Sequence, residues 1–99
     1  MEMNRTRYTP GLGALVLSRE IKAEMVRRGI TTTALAERLG ARRATLTNKL
    51  NGHTPMSTAE FLTISNELGI HASALMTRAE QSIPFMETHR TQIIQNEAQ

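Results

Sequence analysis

The sequence predicts an all-α fold, a compact bundle of five short helices. Three observations carry that expectation. Apolar residues recur every three or four positions in five separate segments, the period of a helix face. Glycine or an Asn-Gly pair follows four of those segments, and Thr31 and Ser57 stand where helices begin. No stretch alternates with period two, as a half-buried strand does.

Residues 1–13 are polar, and Pro10, Gly11 and Gly13 interrupt helical continuity, so a flexible N-terminal arm is expected there. A first helix is expected from Ala14 to Arg28, with Leu17, Ile21 and Met25 spaced four apart on its inner face. Gly29 ends it, and Arg27 and Arg28 suit the negative end of its dipole. Thr31 offers an N-cap hydroxyl for a second helix, Thr32 to Leu39, with Leu35, Ala36 and Leu39 inward. Gly40 stops that helix. A third runs from about Arg43 to Leu50, with Leu46 and Leu50 on one face, and Asn51-Gly52 closes it.

After a loop at His53–Met56, the run Ser57-Thr58-Ala59-Glu60 fits a capping box and opens a fourth helix. Phe61, Ile64, Ser65 and Leu68 form its inner stripe, and Gly69 its stop. A fifth helix, about Ala72 to Ala79, buries Leu75, with Met76 as a second candidate. The expected organisation is an arm at 1–13, a helical domain at 14–79 and a C-terminal extension at 80–99. In the extension Pro84 interrupts, and Ile83, Phe85, Met86, Ile93 and Ile94 follow no clean period. Strand, helix and disordered tail stay open for it. Its apolar groups are a candidate subunit contact.

Composition narrows the function classes. Ninety-nine residues make one domain. With no cysteine, disulfide frameworks, thiol catalysis and zinc–thiolate sites are excluded. No apolar run reaches membrane-spanning length, and no signal-peptide pattern follows Met1, so a soluble, cytoplasmic protein is expected. His53, His71 and His89 lack a metal-ligand spacing, there is no aspartate, and the glutamates read as scattered on outward faces. No nucleophile–base pair and no phosphate-cradling glycine loop is visible. The expectation is therefore no enzyme, no catalytic residue, no metal, no cofactor and no small-molecule ligand.

Charge points elsewhere. Residues 19–49 carry eight basic side chains against three acidic ones, a net of +5. Residues 50–99 carry two against five, a net of −3. Such asymmetry fits one face turned to a polyanion. Only Tyr8, Phe61 and Phe85 are aromatic, too few for a surface that stacks single-stranded bases, so duplex DNA is the better match.

The informative segment is TTTALAERLGARRATLTNKLNG, Thr31 to Gly52. Small Ala36 permits a close helix crossing, Gly40 the tight turn, and Leu35, Leu39, Leu46 and Leu50 hold the two helices at a fixed angle. That leaves the outer face of the third helix free for a DNA major groove, whose width fits one α-helix.

This segment resembles the helix-turn-helix of the lambdoid phage repressor and Cro family, the Xre or Cro/C1 type. The resemblance extends from Leu17 to Met76, through Ile30-Thr31, Leu35-Ala36, Leu39-Gly40, Leu46, Asn51-Gly52 and Glu67-Leu68-Gly69-Ile70. It implies a five-helix DNA-binding domain, lambda-repressor-like, whose second and third helices meet operator DNA. It implies that Arg43, Ala44 and Asn48 face base edges. Their chemistry agrees: Arg suits guanine, Asn adenine, and an Ala methyl a thymine methyl. It implies phosphate contacts for Thr31, Thr32 and Asn51, with Arg42, Thr47 and Lys49 as further neighbours of the DNA backbone.

Three departures stand out. Thr32 replaces a frequent Gln. Met25 and Leu50 together replace a buried Arg–Glu pair, which leaves no orphaned charge. Arg42 stands where a Ser or Thr cap is usual. Two arginines at the positive end of a helix cost about 0.3–1 kcal/mol each in the free protein, a sign that a nearby phosphate reverses.

The implied function is a sequence-specific, double-stranded-DNA-binding transcriptional regulator, a Cro-like or immunity-type repressor of phage or bacterial origin. Its implied mode is a homodimer on a palindromic operator. Two alternatives are an antitoxin-like regulator that binds a protein partner through residues 80–99, and an interaction module that has lost DNA binding. The polar face of the third helix discriminates, since an interaction module favours apolar residues at Arg43 and Asn48.

Overall fold

The computed structural model describes residues 11–83. Five helices follow in order: α1 Leu12–Arg27, α2 Thr32–Leu39, α3 Arg43–Leu50, α4 Thr58–Leu68 and α5 over residues 72–83. There is no strand among the described residues. The fold is all-α.

Local chemistry accounts for most of the boundaries. The Thr31 hydroxyl accepts a hydrogen bond from the Ala34 amide at 3.1 Å and starts α2. Ser57 and Glu60 complete both halves of the capping box that opens α4: the Glu60 amide donates to the Ser57 hydroxyl at 3.1 Å, and the Ser57 amide to the Glu60 carboxylate at 2.8 Å. Gly40 ends α2 in the left-handed region at φ +67°. There the Ala41 amide reaches back to the Ala36 carbonyl at 2.9 Å, which turns the chain directly into α3.

Two expected boundaries move. The helix begins at Leu12 rather than Ala14, so Gly13 lies inside its first turn. Amides of a first turn have no intrahelical acceptor, so a glycine there interrupts no hydrogen bond. Gly11, in extended conformation, is the N-cap, and its carbonyl accepts from the Leu15 amide at 3.1 Å. At the other end, α5 continues past Ala79, so residues 80–83 of the expected extension are helical. The Ser82 hydroxyl bonds the Arg78 carbonyl at 3.0 Å and the Glu20 carboxylate at 3.3 Å, which fastens this last turn to α1. Residues 1–10 of the expected 1–13 arm and the apolar positions Phe85, Met86, Ile93 and Ile94 lie outside the described residues.

One core joins the helices. Ile21 and Met25 of α1, Leu35 and Ala36 of α2, Leu46 and Leu50 of α3, Phe61, Ile64 and Leu68 of α4, and Leu75 of α5 form a single buried cluster. Met25 and Leu50 are both inside it, so that paired position is apolar on both sides. Ser65 is buried too and donates to the Phe61 carbonyl at 2.8 Å. Met76 departs from expectation: it is 48% exposed, and α5 turns Leu75 and Ala79 inward instead, four residues apart.

Glu24 is the larger correction. The glutamates are expected on outward faces, yet Glu24 is only 4% exposed. Its carboxylate accepts from Arg27 at 3.0 Å, from Arg28, and from Arg78 of α5 at 2.7 Å. The Arg28 and Arg78 hydrogen bonds, with Arg27 added, outweigh burial and hold the carboxyl at about 2, down from its ordinary 4.5. This cluster ties α1 to α5. The Arg28 guanidinium also lies 3.1 Å from where a Cβ on Gly69 would sit, at the end of α4.

Candidate nucleic-acid interface

The turn at Gly40 and the buried leucines set how α3 is presented. Leu46 and Leu50, one turn apart, face the core and leave the opposite side of α3 to solvent. Arg43, Ala44 and Asn48 are all exposed, and Asn48 lies opposite the Leu46–Leu50 stripe. Thr45 is exposed on the flank of the same face, a position not singled out from the sequence. Thr47 is half-buried beside them.

The entrance to α3 is electropositive. Arg42 is its N-cap, in extended conformation and without a side-chain capping bond, and Arg43 is its first helical residue. Among the described residues neither arginine has a carboxylate within ion-pairing distance. Two cations thus sit where the helix dipole is already positive. The start of α2 is close in the chain: Thr31 is exposed, though its hydroxyl is taken by the cap, and Thr32 is half-buried.

At the exit of α3 the structure gives two of the expected site residues internal partners. Lys49 does not stand free beside Asn48. Its ammonium pairs with the Glu60 carboxylate, and its side chain is only 21% exposed. Glu60 in turn is held below the usual carboxylate range, first by that hydrogen bond from Lys49 and then by the Ser57 amide. Asn51 is exposed, and its Oδ1 accepts from the Lys22 ammonium at 3.1 Å. That leaves the Asn51 amide nitrogen as the outward donor. Lys22, on α1, therefore belongs to this end of the surface. Its position on the outer side of an amphipathic helix was the available signal.

Residues 17–78 match the family described as winged helix-turn-helix DNA-binding. The chain belongs to that family. Its wing has no counterpart among residues 11–83, where no strand occurs. Among solved structures the fold is similar to the crystal structure of the clp gene regulator ClgR from Corynebacterium glutamicum, with a TM-score of 0.74 at 18% identity. That match covers 85% of this chain and 88% of the regulator's. No curated protein matches.

Other surfaces of the domain offer less chemistry. Among the described residues no three His, Cys, Asp or Glu side chains converge as a metal site, and no helix is long and apolar enough to cross a membrane. His53 and His71 are exposed; His89 lies outside the described residues.

Proposed function

We propose that the protein is a non-enzymatic, sequence-specific regulator of transcription that binds double-stranded DNA, a repressor of the Cro/C1 type working in the bacterial cytoplasm. One observation carries the reading: α3 turns Ala44 and Asn48 outward, opposite the buried Leu46 and Leu50, with the exposed Arg43 at its first turn. In this reading α3 enters the major groove. Arg43 pairs with guanine O6 and N7, Asn48 with adenine N6 and N7, and Ala44 meets a thymine methyl. Thr31, Thr32, Arg42, Thr47 and Asn51 lie against phosphates and set the register. Lys22 joins them through its bond to Asn51. Lys49 borders this set from its ion pair.

A single helix of this length reads only a few base pairs, too few to find one site among a genome of competitors. The reading therefore includes a homodimer on a palindrome, with two copies of α3 about 34 Å apart, one turn of DNA. Selection of bound duplexes from a random library, followed by footprinting, tests both parts. A palindromic consensus protected over two successive major grooves supports them. Recovery of no consensus overturns sequence-specific binding, and a single unpaired half-site overturns the dimer.

A further inference from the structure

Glu60 serves two partners at once. One carboxylate oxygen closes the capping box on the Ser57 amide at 2.8 Å, and the other holds the Lys49 ammonium. The first bond alone satisfies the requirement of the helix. A glutamine does it equally well, since the capping box accepts either residue. What requires a charge at this position is Lys49.

Lys49 sits in the last turn of α3, between Asn48 of the outer face and Leu50 of the core. The cations Arg42 and Arg43 at the other end of α3, and Lys22 beside Asn51, have no carboxylate partner among the described residues. Among the described residues Lys49 is the one cation of α3 that meets a carboxylate. A free lysine here would be a long, mobile donor able to reach whichever phosphate lay near. Such contacts supply essentially all of non-specific binding.

We infer that Glu60 is a specificity-determining residue of the DNA-binding surface: by masking Lys49 it withholds a sequence-independent phosphate contact. This rests on the proposed function above. The specific complex is held in register by base contacts, so a freed Lys49 gains less there than on arbitrary sequence. Glu60 thereby widens the ratio of specific to non-specific affinity, the quantity that matters in a genome.

The test compares the full chain with Glu60→Gln and with Glu60→Gln combined with Lys49→Gln. Binding to the selected duplex and to a scrambled duplex of equal length is measured from 50 to 200 mM salt. Thermal denaturation of each variant confirms that the capping box still closes. For Glu60→Gln on the scrambled duplex, the slope of log affinity against log salt is expected to steepen by about 0.9, which is roughly a threefold gain at 50 mM relative to 200 mM. The affinity ratio between selected and scrambled duplex should fall. The double variant should return the slope to that of the unaltered protein. An unchanged slope in a folded Glu60→Gln variant overturns the inference. So does a steeper slope that persists in the double variant, because the added charge would then act through the general field and not through Lys49. A wild-type protein that binds no duplex overturns the proposed function and this inference together; the first two results leave the proposed function standing.

Discussion

Two clusters of arginine in this small domain meet opposite fates. At the junction of α1 and α5, Arg27, Arg28 and Arg78 converge on the buried Glu24. At the entrance to α3, Arg42 and Arg43 meet no carboxylate among the described residues and crowd the positive end of a helix. The first set is consumed by the fold. Its guanidiniums share one buried carboxylate and tie α5 to α1. The second set opposes the fold slightly, and its electrostatics improve only when an external anion arrives. A cation that the structure satisfies internally reports on stability, whereas one left facing its own helix dipole reports on a ligand.

That contrast breaks first, and hardest, at Glu24. Glu24→Gln leaves three guanidiniums around a neutral group. Breaking a fully buried pair costs about 3–5 kcal/mol, but these arginines are partly exposed, so about 2–3 kcal/mol is expected. Denaturant titration measures it. The pH dependence carries a sign. The folded carboxyl lies at about 2 against an ordinary 4.5, so its stabilisation is present above pH 4.5 and is lost as pH falls toward 2. The gap between the wild type and Glu24→Gln should close across that window; a gap that stays constant to pH 2 refutes the ion-pair account.

The opposite behaviour is expected at Arg43. Arg43→Ala should cost about 1–3 kcal/mol of affinity for the best duplex and relax preference at one base pair, with little change in fold stability. Affinities for all single-base variants of the site check this. Uniform weakening would make Arg43 a phosphate contact.

A smaller effect separates the two clusters directly. Arg78→Met removes a guanidinium that is 42% exposed, so screening limits the loss to about 1 kcal/mol of stability. The salt dependence of DNA binding should not change. Arg42→Ser should do the reverse. It supplies the missing cap of α3 and stabilises the free protein by about 0.5–1 kcal/mol, while the salt slope becomes shallower by about 0.9. Melting curves and salt titrations of the two variants should cross; if both move stability in the same direction, the division between the clusters fails.

The least effect is expected at Asn51. Its side chain is neutral, so Asn51→Ala should weaken binding with little change in salt slope, whereas Lys22→Met should make the slope shallower. Equal slopes for the two variants would remove Lys22 from the surface.

How much of this was legible in the sequence depends on how far each signal acts along the chain. The bounds of α2, α3 and the start of α4 follow from neighbours within four residues: a Thr31 or Ser57 hydroxyl on an amide three positions on, a glycine at the end, leucines one turn apart. The outward positions of Ala44 and Asn48 follow from the same period, because fixing Leu46 and Leu50 inside leaves the opposite face outside; Arg43 lies in line with those leucines and is exposed at the first turn of the helix. The start of α1 was misread because Gly13 counts as a breaker in a helix interior but costs little in a first turn.

The amino-acid sequence by itself determined the all-α class, the helix-turn-helix frame and the face of α3 left to solvent, all of which rest on local hydrogen bonding and the 3.6-residue period. Only the tertiary structure decided which charges remain available. Arg78 meets Glu24 across 54 residues, Lys22 meets Asn51 across 29, and Lys49 meets Glu60 across 11. Those partners are chosen by how the helices cross on the shared core, and no periodicity along the chain encodes a crossing angle.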